Sequence, residues 1–359
     1  MNKPFAVFAA GLLAIALAGC AEPPASVRSS TPTPTSTASA YYKACLVTDA
    51  DTAEGSPAQE GVAGLTRASS ELGVDTDQVT VATSADYATA IQGLVDESCT
   101  LVVGVGSSAT EAVQAAAKAN TGVRFVLVDA TPTESLSNLR PVLFNTQESA
   151  FLAGYLAASQ SSTGKVGTFG ALNVATVTIY MDGFVQGVDY YNQTKQAQVE
   201  ALGWDVTDQS GTFVHSATSP WDDTAAGLTA AQSLTDEGAD VVFAVAGAAG
   251  TGALELAAQT GGVRVIWSDT DGCQTQAASC AQILTSVVKD REASVFEAIK
   301  ADHDGSGASG VLAGTLRNGG THLSDLADDV PAETRTELDA VSQGIIDGTI
   351  TVTSPSAVN

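Results

Sequence analysis

The sequence predicts an α/β protein with two lobes, each a mostly parallel sheet flanked by helices. From residue 41 onward, short β-branched runs alternate with alanine-rich segments of helical length. The strands read as near-continuous apolar runs, which is typical of parallel sheets covered by helices on both faces. The same rhythm starts again at Lys165, and 359 residues suffice for two domains or slightly more.

The first series contains strands that read ACLVT, QVTVA, TLVVGVG and RFVLVD. Between them, alanine-rich stretches predict helices over residues 59–72, 86–95 and 111–119. Next comes PVLFNTQESAFLAGYLAASQ, which predicts a strand and then a long helix of small residues. We place the crossing between the lobes in this segment.

The second series runs through KVGTFG, ADVVFAVAG and VRVIWSD, again with helical segments between the strands. We assign residues 41–146 and about 270–311 to lobe 1. Lobe 2 then takes residues 147–269 and about 312–359.

The N-terminus has the features of an export signal over residues 1–19. Lys3 gives a positive start, residues 5–17 are apolar, and small residues precede Cys20. A cysteine directly after Leu-Ala-Gly resembles the lipobox of bacterial lipoproteins, which implies lipidation of Cys20; the alternative is ordinary cleavage with Cys20 merely nearby. Residues 21–40 are rich in Pro, Ser, Thr and Ala, so we expect a disordered tether.

Charge argues against one class of partner. The chain has 15 Lys+Arg and 40 Asp+Glu, a formal net charge of −25 at pH 7. Such a field repels phosphate backbones, so we expect no nucleic-acid binding. The simplest interpretation of so many carboxylates is a solvated surface.

Export makes disulfides possible for the four cysteines other than Cys20. Cys45 and Cys99 open two strand-like runs, and Cys273 and Cys280 close a short loop, so we predict these two bridges. Four cysteines allow three pairings, and buried free thiols remain the alternative. The cysteines and histidines show no metal-binding spacing.

The residues that end the predicted strands are the informative ones, because ligands of open parallel sheets bind outside the carboxyl ends of the strands. Carboxylates placed there accept paired hydrogen bonds from sugar hydroxyls. Capping of the following helix is the alternative role for each acid, and for Asp129 the two roles carry equal weight. The strand-end residues are Asp49, Gly106, Asp129, Gly170, Gly247 and Asp269.

Several motifs together carry a family resemblance. They are DVVFAVAGAAGTGALE from Asp240, VIWSDTD from Val265, TSVVKD around Lys289, and ESAFLAGYLAA from Glu148. A helix with Tyr-x-x-Gly-Phe-x-x-Gly spacing starts at Tyr180. The combination resembles the basic membrane protein family of lipoproteins, the substrate-binding proteins of ABC transporters best known for purine nucleosides. The resemblance implies a type I periplasmic-binding-protein fold that closes on its ligand by hinge motion.

The resemblance also implies polar ligand contacts. Asp49 matches the family's hydroxyl-binding aspartate, and Asp269 and Lys289 match its ribose-binding acid and lysine. Glu111 aligns with a further family aspartate and is one methylene longer. For Lys289 the alternative is a surface lysine on the first turn of the next helix.

Three further contacts follow from the resemblance. Tyr180 matches the phenylalanine that stacks on the base. Phe184, one turn later, either supports Tyr180 or packs in the core. Gly247 and the loop after it would let backbone amides approach the ligand closely.

The chain departs from the family pattern at two positions where the family carries aromatic residues. Where the family carries a phenylalanine in the first loop, this chain has Pro57 within Glu-Gly-Ser-Pro-Ala, and Ser107 replaces another phenylalanine. We expect Trp267 or the loop at Trp221 to supply the missing stacking surface.

An enzyme and a sensor are the two other function classes to compare with this prediction. The histidines, His215, His303 and His322, lie in no catalytic motif, so an enzyme is not predicted. A sensor that signals to a membrane receptor remains the alternative to transport. The sequence thus predicts a monomeric lipoprotein on the extracytoplasmic face of the cell membrane. It would bind a nucleoside for an ABC permease and ATPase, without cofactor or metal.

Overall fold

The computed structural model describes residues 41–50, 55–307 and 310–358. The predicted signal peptide, Cys20 and the tether lie outside these residues and stay predictions. Within the described part of the chain, no helix combines the length and apolar character needed to cross a membrane.

The first sheet begins with five parallel strands in the order β2-β1-β3-β4-β5. Its central strands are buried on both faces: in β1, Leu46 points into one hydrophobic core and its neighbour Val47 into the other. The strands are β1 (Lys43–Asp49), β2 (Asp75–Val81), β3 (Leu101–Val105), β4 (Arg124–Val128) and β5 (Leu139–Phe144).

The second sheet repeats this design with the parallel order β7-β6-β10-β11-β12. Beside it, β8 and β9 form a small antiparallel pair. The strands are β6 (Lys165–Gly170), β7 (Glu200–Leu202), β8 (Trp204–Asp205), β9 (Ser210–Gly211), β10 (Val241–Val245), β11 (Arg264–Asp269) and β12 (Ile283–Lys289).

Each sheet is completed by a late strand. Strand β13 (Leu312–Gly314) returns to the first sheet and pairs in parallel with β5, and β14 (Thr321–Leu323) runs antiparallel to β12 in the second sheet. The α/β fold with parallel-dominated sheets is therefore confirmed.

The lobe boundaries differ from the predicted ones. Residues from about 270 were assigned to lobe 1, but β12 pairs with β11 and so belongs to the second sheet. The chain passes to lobe 1 only after Lys289 and returns after β13. An apolar strand such as β12 can pair in parallel with a strand of either sheet. Its sequence therefore does not show which of the two sheets it joins.

Helices cover the faces of both sheets. In lobe 1 the helix at residues 291–303 packs against the one at residues 57–72. In chain order the helices are α1 (Pro57–Leu72), α2 (Tyr87–Asp96), α3 (Thr110–Ala119), α4 (Thr146–Gln160), α5 (Ala175–Lys195), α6 (Thr224–Asp236), α7 (Thr251–Thr260), α8 (Gly272–Thr275), α9 (Arg291–His303) and α10 (Ala332–Asp347).

The two bridges that the sequence analysis predicted are present. Cys45 in β1 pairs with Cys99, just before the neighbouring β3, with 5.9 Å between their Cα atoms. Cys273 and Cys280 close the loop between β11 and β12, with 4.6 Å between their Cα atoms.

Helices α4 and α5 approach each other so closely that their backbones touch. A Cβ on Gly154 would overlap the carbonyl oxygen of Phe184, and one on Gly183 would overlap that of Gln147. Glycine is required at these positions because the two helix backbones approach each other closely. This packing places α5 against α4 and so fixes the position of Tyr180 on α5.

We predict that Gly154→Ala destabilises the protein by about 3 kcal/mol, because the new methyl group meets a backbone oxygen that cannot rotate away. Urea unfolding followed by circular dichroism measures this. Gly93→Ala is the matched control: Gly93 lies inside α2, and a Cβ there meets nothing within 4 Å. The control should be neutral or more stable by up to about 1 kcal/mol, since Ala is the better helix former. Equal stability of the two variants would contradict the close-packing interpretation.

Candidate functional site

Two aspartates stand at the carboxyl ends of central strands, one in each lobe. Asp129 directly follows β4 in the first sheet, and Asp269 is the last residue of β11 in the second. Both have left-handed backbone conformations, with φ of 58° and 71°. Aspartate tolerates this region better than most residues, but the conformation persists only where surrounding contacts hold it.

Two cations from a single crossing segment hold these acids. Lys289 ends β12 in lobe 2, and Arg291 begins α9 in lobe 1. Their side chains are only 5% and 3% exposed. A buried charge is tolerated when it is paired and hydrogen-bonded, so their partners define the site.

The ion pairs link the two lobes in both directions. Lys289 of lobe 2 donates to Asp129 of lobe 1, with Nζ 3.0 Å from Oδ1. Arg291 of lobe 1 donates from Nη2 to Oδ1 of Asp269 in lobe 2 at 3.1 Å. Arg291 also donates from Nε and Nη2 to Oδ2 of Asp129, at 3.0 and 2.8 Å. Lys289 Nζ lies 3.3 Å from Oδ1 of Asp269 as well.

Two further residues complete the surroundings. Glu60 on α1 accepts a hydrogen bond from Nη1 of Arg291 at 2.9 Å. The Tyr180 hydroxyl on α5 donates to Oδ1 of Asp269 at 2.7 Å. We call the five charged residues Glu60, Asp129, Asp269, Lys289 and Arg291 the cleft ion network.

The two oxygens of the Asp269 carboxylate have different hydrogen-bonding partners. Its Oδ1 receives hydrogen bonds from Tyr180 and Arg291 and lies beside Lys289, whereas none of the described residues donates to Oδ2. The side chain is 30% exposed. One oxygen of this acid is therefore fixed by the protein and the other is available to a ligand.

The pKa values of Asp269, Arg291 and Tyr180 are shifted by burial and by one another's charges. Burial alone would raise the pKa of Asp269, but the charges of Lys289 and Arg291 and the Tyr180 hydrogen bond outweigh it and hold that pKa well below its usual range. Burial lowers the pKa of Arg291, yet Asp129, Asp269 and Glu60 keep it well above its ordinary value. Burial and the charge of Asp269 raise the pKa of Tyr180. Asp269 is thus a carboxylate and Tyr180 a neutral donor at physiological pH.

Glu60 behaves in the opposite way. Burial, helped by the charges of Asp269 and Asp290, outweighs the lowering effect of Arg291 and raises the pKa of Glu60 from 4.5 to about 7. At neutral pH the network therefore contains one acid, Glu60, that is close to its titration midpoint.

The structure corrects the predictions for the two aromatic residues on α5. Tyr180 and Phe184 are fully buried, and both rings pack against Phe243. Phe184 is a core residue, so a ligand contact by its side chain is contradicted by its position. Tyr180 presents no exposed ring face for stacking; its hydroxyl orients Asp269 instead.

The other predicted residues are spread along the strand ends. Asp49 lines a groove of about 400 Å³ with Thr48, Thr80 and the start of α1. Glu111 is exposed on the first turn of α3. Gly247, two residues after the end of β10, has a φ of 55°, and a Cβ there would lie 3.5 Å from Trp221. Direct contacts join Asp269, Lys289 and Tyr180 to one another. Asp49, Glu111 and Gly247 lie outside this group.

The two candidate tryptophans have different positions. Trp267 is buried in β11 beneath Gly250 and Gly272, so it belongs to the core. Trp221 is 37% exposed, and its carbonyl oxygen accepts a hydrogen bond from the Ala249 amide at 2.8 Å. Trp221 is therefore the tryptophan with ring surface available at the carboxyl edge of the second sheet.

A polar groove of about 460 Å³ opens beside the network. Glu60 of lobe 1 and Lys289 of lobe 2 both line it, together with Thr270, Gln274 and Ser324. This volume is within the range of small-molecule sites. In the described residues, no group of three or more His, Cys, Asp or Glu side chains could hold a metal ion.

Sequence reasoning missed the roles of Arg291 and Glu60, and left the role of Asp129 open. One signal was available for Arg291: it lies two residues after Lys289, at the start of a helix that follows a strand end. Glu60 had no such signal, because its position on the first turn of α1 is also where helices favour acids for their dipole.

The raised pKa of Glu60 predicts a pH-dependent stability. Unfolded Glu60 ionises near pH 4.5 and folded Glu60 near 7, so the native state loses stability as the pH rises between these values. We expect the melting temperature of wild type to fall relative to that of Glu60→Gln from pH 5 to pH 8, measured by differential scanning calorimetry. Glu71→Gln, on the exposed end of the same helix, is the control. A difference between wild type and Glu60→Gln that stays constant over this range would contradict the prediction.

Relatives of known name match most of the chain. BmpA of Lactococcus lactis subsp. cremoris, named an ABC transporter nucleoside-binding protein, is 27% identical over 285 residues, which is 76% of each protein. Basic membrane protein A1 of Borrelia garinii subsp. bavariensis is 27% identical over 270 residues, covering 74% of this chain and 75% of that protein.

Solved structures share the fold. An ABC transporter solute-binding protein from Aeropyrum pernix has a TM-score of 0.69 at 24% identity, covering 88% of this chain and 94% of its own. A protein described as a transcriptional activator of the comK gene from Bacillus halodurans has a TM-score of 0.70 at 22% identity, covering 87% and 100%. These TM-scores show that the chain shares its fold with both proteins.

A family model described as ABC transporter substrate-binding protein PnrA-like matches residues 42–355. The match spans nearly all described residues and confirms the resemblance drawn from the sequence motifs. The chain belongs to the PnrA-like family of ABC transporter substrate-binding proteins.

Proposed function

We propose that this substrate-binding protein captures a nucleoside, with purine nucleosides favoured, and delivers it to an ABC importer. The observation that carries the proposal is the Asp269 carboxylate: Oδ1 is held by the protein, Oδ2 accepts no hydrogen bond from the described residues, and the adjacent Thr270 and Lys289 line a groove of ligand size. An ionised acid in this position accepts hydrogen bonds from ribose hydroxyls. A relative that matches three quarters of the chain is named a nucleoside-binding protein.

Further contacts are proposed around this acid. Lys289 lines the groove and supplies ammonium hydrogens, and Asp49, Glu111 and Gly247 would contribute from the other strand ends. Trp221 would provide the aromatic surface, because it is partly exposed and lies near Gly247 and Ala249, which follow β10 of the second sheet. The base would lie against Trp221 and the sugar against Asp269.

The proposal includes the location of the protein. Lipidation at Cys20 would anchor the chain to the extracytoplasmic face of the cell membrane, and residues 21–40 would hold the folded part away from the lipid. We propose a monomer, since one chain contains both lobes and the groove between them.

The ligand class is tested by thermal shift of residues 41–359 with adenosine, guanosine, inosine, free bases, sugars and amino acids. A nucleoside at one hundred times its dissociation constant should stabilise wild type by about 2.7 kcal/mol. Asp269→Asn should abolish this shift, because an amide replaces the open carboxylate oxygen. Asp329→Asn, which removes an exposed partner of Arg264, should keep it. Stabilisation by another compound class alone would contradict the nucleoside proposal.

The stacking role of Trp221 is tested separately. Trp221→Ala should weaken nucleoside binding by about 1 to 3 kcal/mol, the usual contribution of an aromatic ring stacked on a base. Isothermal titration calorimetry measures the dissociation constant. Leu172→Ala is the control, since Leu172 is another exposed apolar residue following a strand of the same sheet. If both variants bind as tightly as wild type, Trp221 does not stack on the ligand.

A further inference from the structure

Arg291 makes more contacts with acids than any other member of the cleft ion network. Its guanidinium donates to Glu60, Asp129 and Asp269, so it touches all three carboxylates. Lys289 contacts two of them through a single nitrogen, at 3.0 Å from Asp129 and 3.3 Å from Asp269. Without Arg291, one ammonium group would have to neutralise both aspartates.

We propose that Arg291 is a positioning residue of the ligand site, which keeps Asp269 ionised and turned so that its Oδ2 faces the ligand. This inference rests on the proposed function in one respect, that Asp269 is the acid which contacts the ligand. Arg291 itself is 97% covered and contacts protein groups. It acts on the ligand through Asp269.

The geometry supports orientation as the first part of this role. Oδ1 of Asp269 lies between the Tyr180 hydroxyl at 2.7 Å and Nη2 of Arg291 at 3.1 Å. Two donors from different lobes fix the rotation of the carboxylate, which leaves Oδ2 as the open acceptor. The same Nη2 is 2.8 Å from Asp129, so the planar guanidinium holds both acids in one arrangement.

Charge supports the second part. A carboxylate accepts hydrogen bonds through both oxygens, whereas a protonated carboxyl group donates through one of them. Desolvation favours the protonated form of Asp269, and Lys289 and Arg291 together oppose it. Removing Arg291 leaves Lys289 shared between Asp129 and Asp269, so one acid is then under-compensated.

The experiment compares Arg291→Met, Arg291→Lys and the double variant Asp129→Asn/Arg291→Met with wild type. The dissociation constant of the tightest binder among adenosine, guanosine and inosine is measured by calorimetry from pH 3 to pH 7. Asp269 is faced by Tyr180, Lys289 and Arg291, and through Arg291 by Asp129 and Glu60, with Asp290 facing Glu60. Because Glu60 titrates near neutrality, the series is repeated in a Glu60→Gln background.

Relative to wild type, Arg291→Met should lose affinity as the pH falls from 7 to 3, by up to about tenfold at pH 3. The loss of one neighbouring cation shifts an aspartate pKa by about one unit or more, and one unit is a factor of ten in protonation. The double variant should recover the wild-type pH profile, because Lys289 then serves Asp269 alone. Arg291→Lys should lie between wild type and Arg291→Met.

Three results would overturn the proposal. Arg291→Met could bind like wild type at every pH, or its affinity could fall by the same factor at every pH, which is what a purely structural role produces. The double variant could also fail to recover the profile. Arg264→Met removes an arginine paired with Asp329 outside the network and controls for the substitution itself.

A second measurement needs no ligand and separates this proposal from the proposed function. Asp269 has a depressed pKa in the folded state, so its stabilising contribution is lost only when the pH falls well below the ordinary value of 3.8. Arg291→Met should therefore unfold at a higher pH than wild type in an acid titration, and the double variant should not. If no nucleoside binds wild type, the proposed function fails, and this titration still decides the role of Arg291: equal midpoints would overturn it. Should Arg291→Met not fold, Arg291→Lys is compared with wild type in the same titration.

Discussion

Pairing of buried charge across the chain crossing at residues 289–291 is the interaction on which the site depends. Lys289 and Arg291 lie on opposite sides of the crossing, and each contacts the acid that ends a strand of the other lobe. Neither cation could stay buried without these acids, since an unpaired charge in the interior is strongly destabilising. The left-handed backbone of Asp129 and Asp269 is held by the same contacts.

The topology of the fold explains why Asp129 and Asp269 come from different lobes and meet in one place. In a parallel sheet all carboxyl ends lie on one edge, so two such sheets facing each other bring Asp129 and Asp269 to the same cleft. Close packing of α4 and α5 then brings Tyr180 within reach of Asp269. Buried strands, glycine contacts and the ion network are thus successive consequences of one arrangement.

Much of the fold could be predicted from the sequence, and less of the site. The parallel sheets follow from the apolar strand runs, and Asp269 and Lys289 follow from strand-end position and motif. The direction of Tyr180 could not be predicted, because helical spacing gives a face and does not say what that face packs against; here the ring meets Phe243. The roles of Arg291 and Glu60 could not be predicted because they depend on contacts with residues of other elements. Each is an ordinary helix-start residue until the partner from another element is known.

The position of the network at a crossing also bears on hinge motion. Rotation of one lobe about the crossing displaces a group in proportion to its distance from that point. Lys289 and Arg291 lie at the crossing itself, so their pairs with Asp129 and Asp269 would change little in such a rotation. Ion pairs at the pivot would therefore keep Asp269 oriented in both open and closed arrangements of the two lobes.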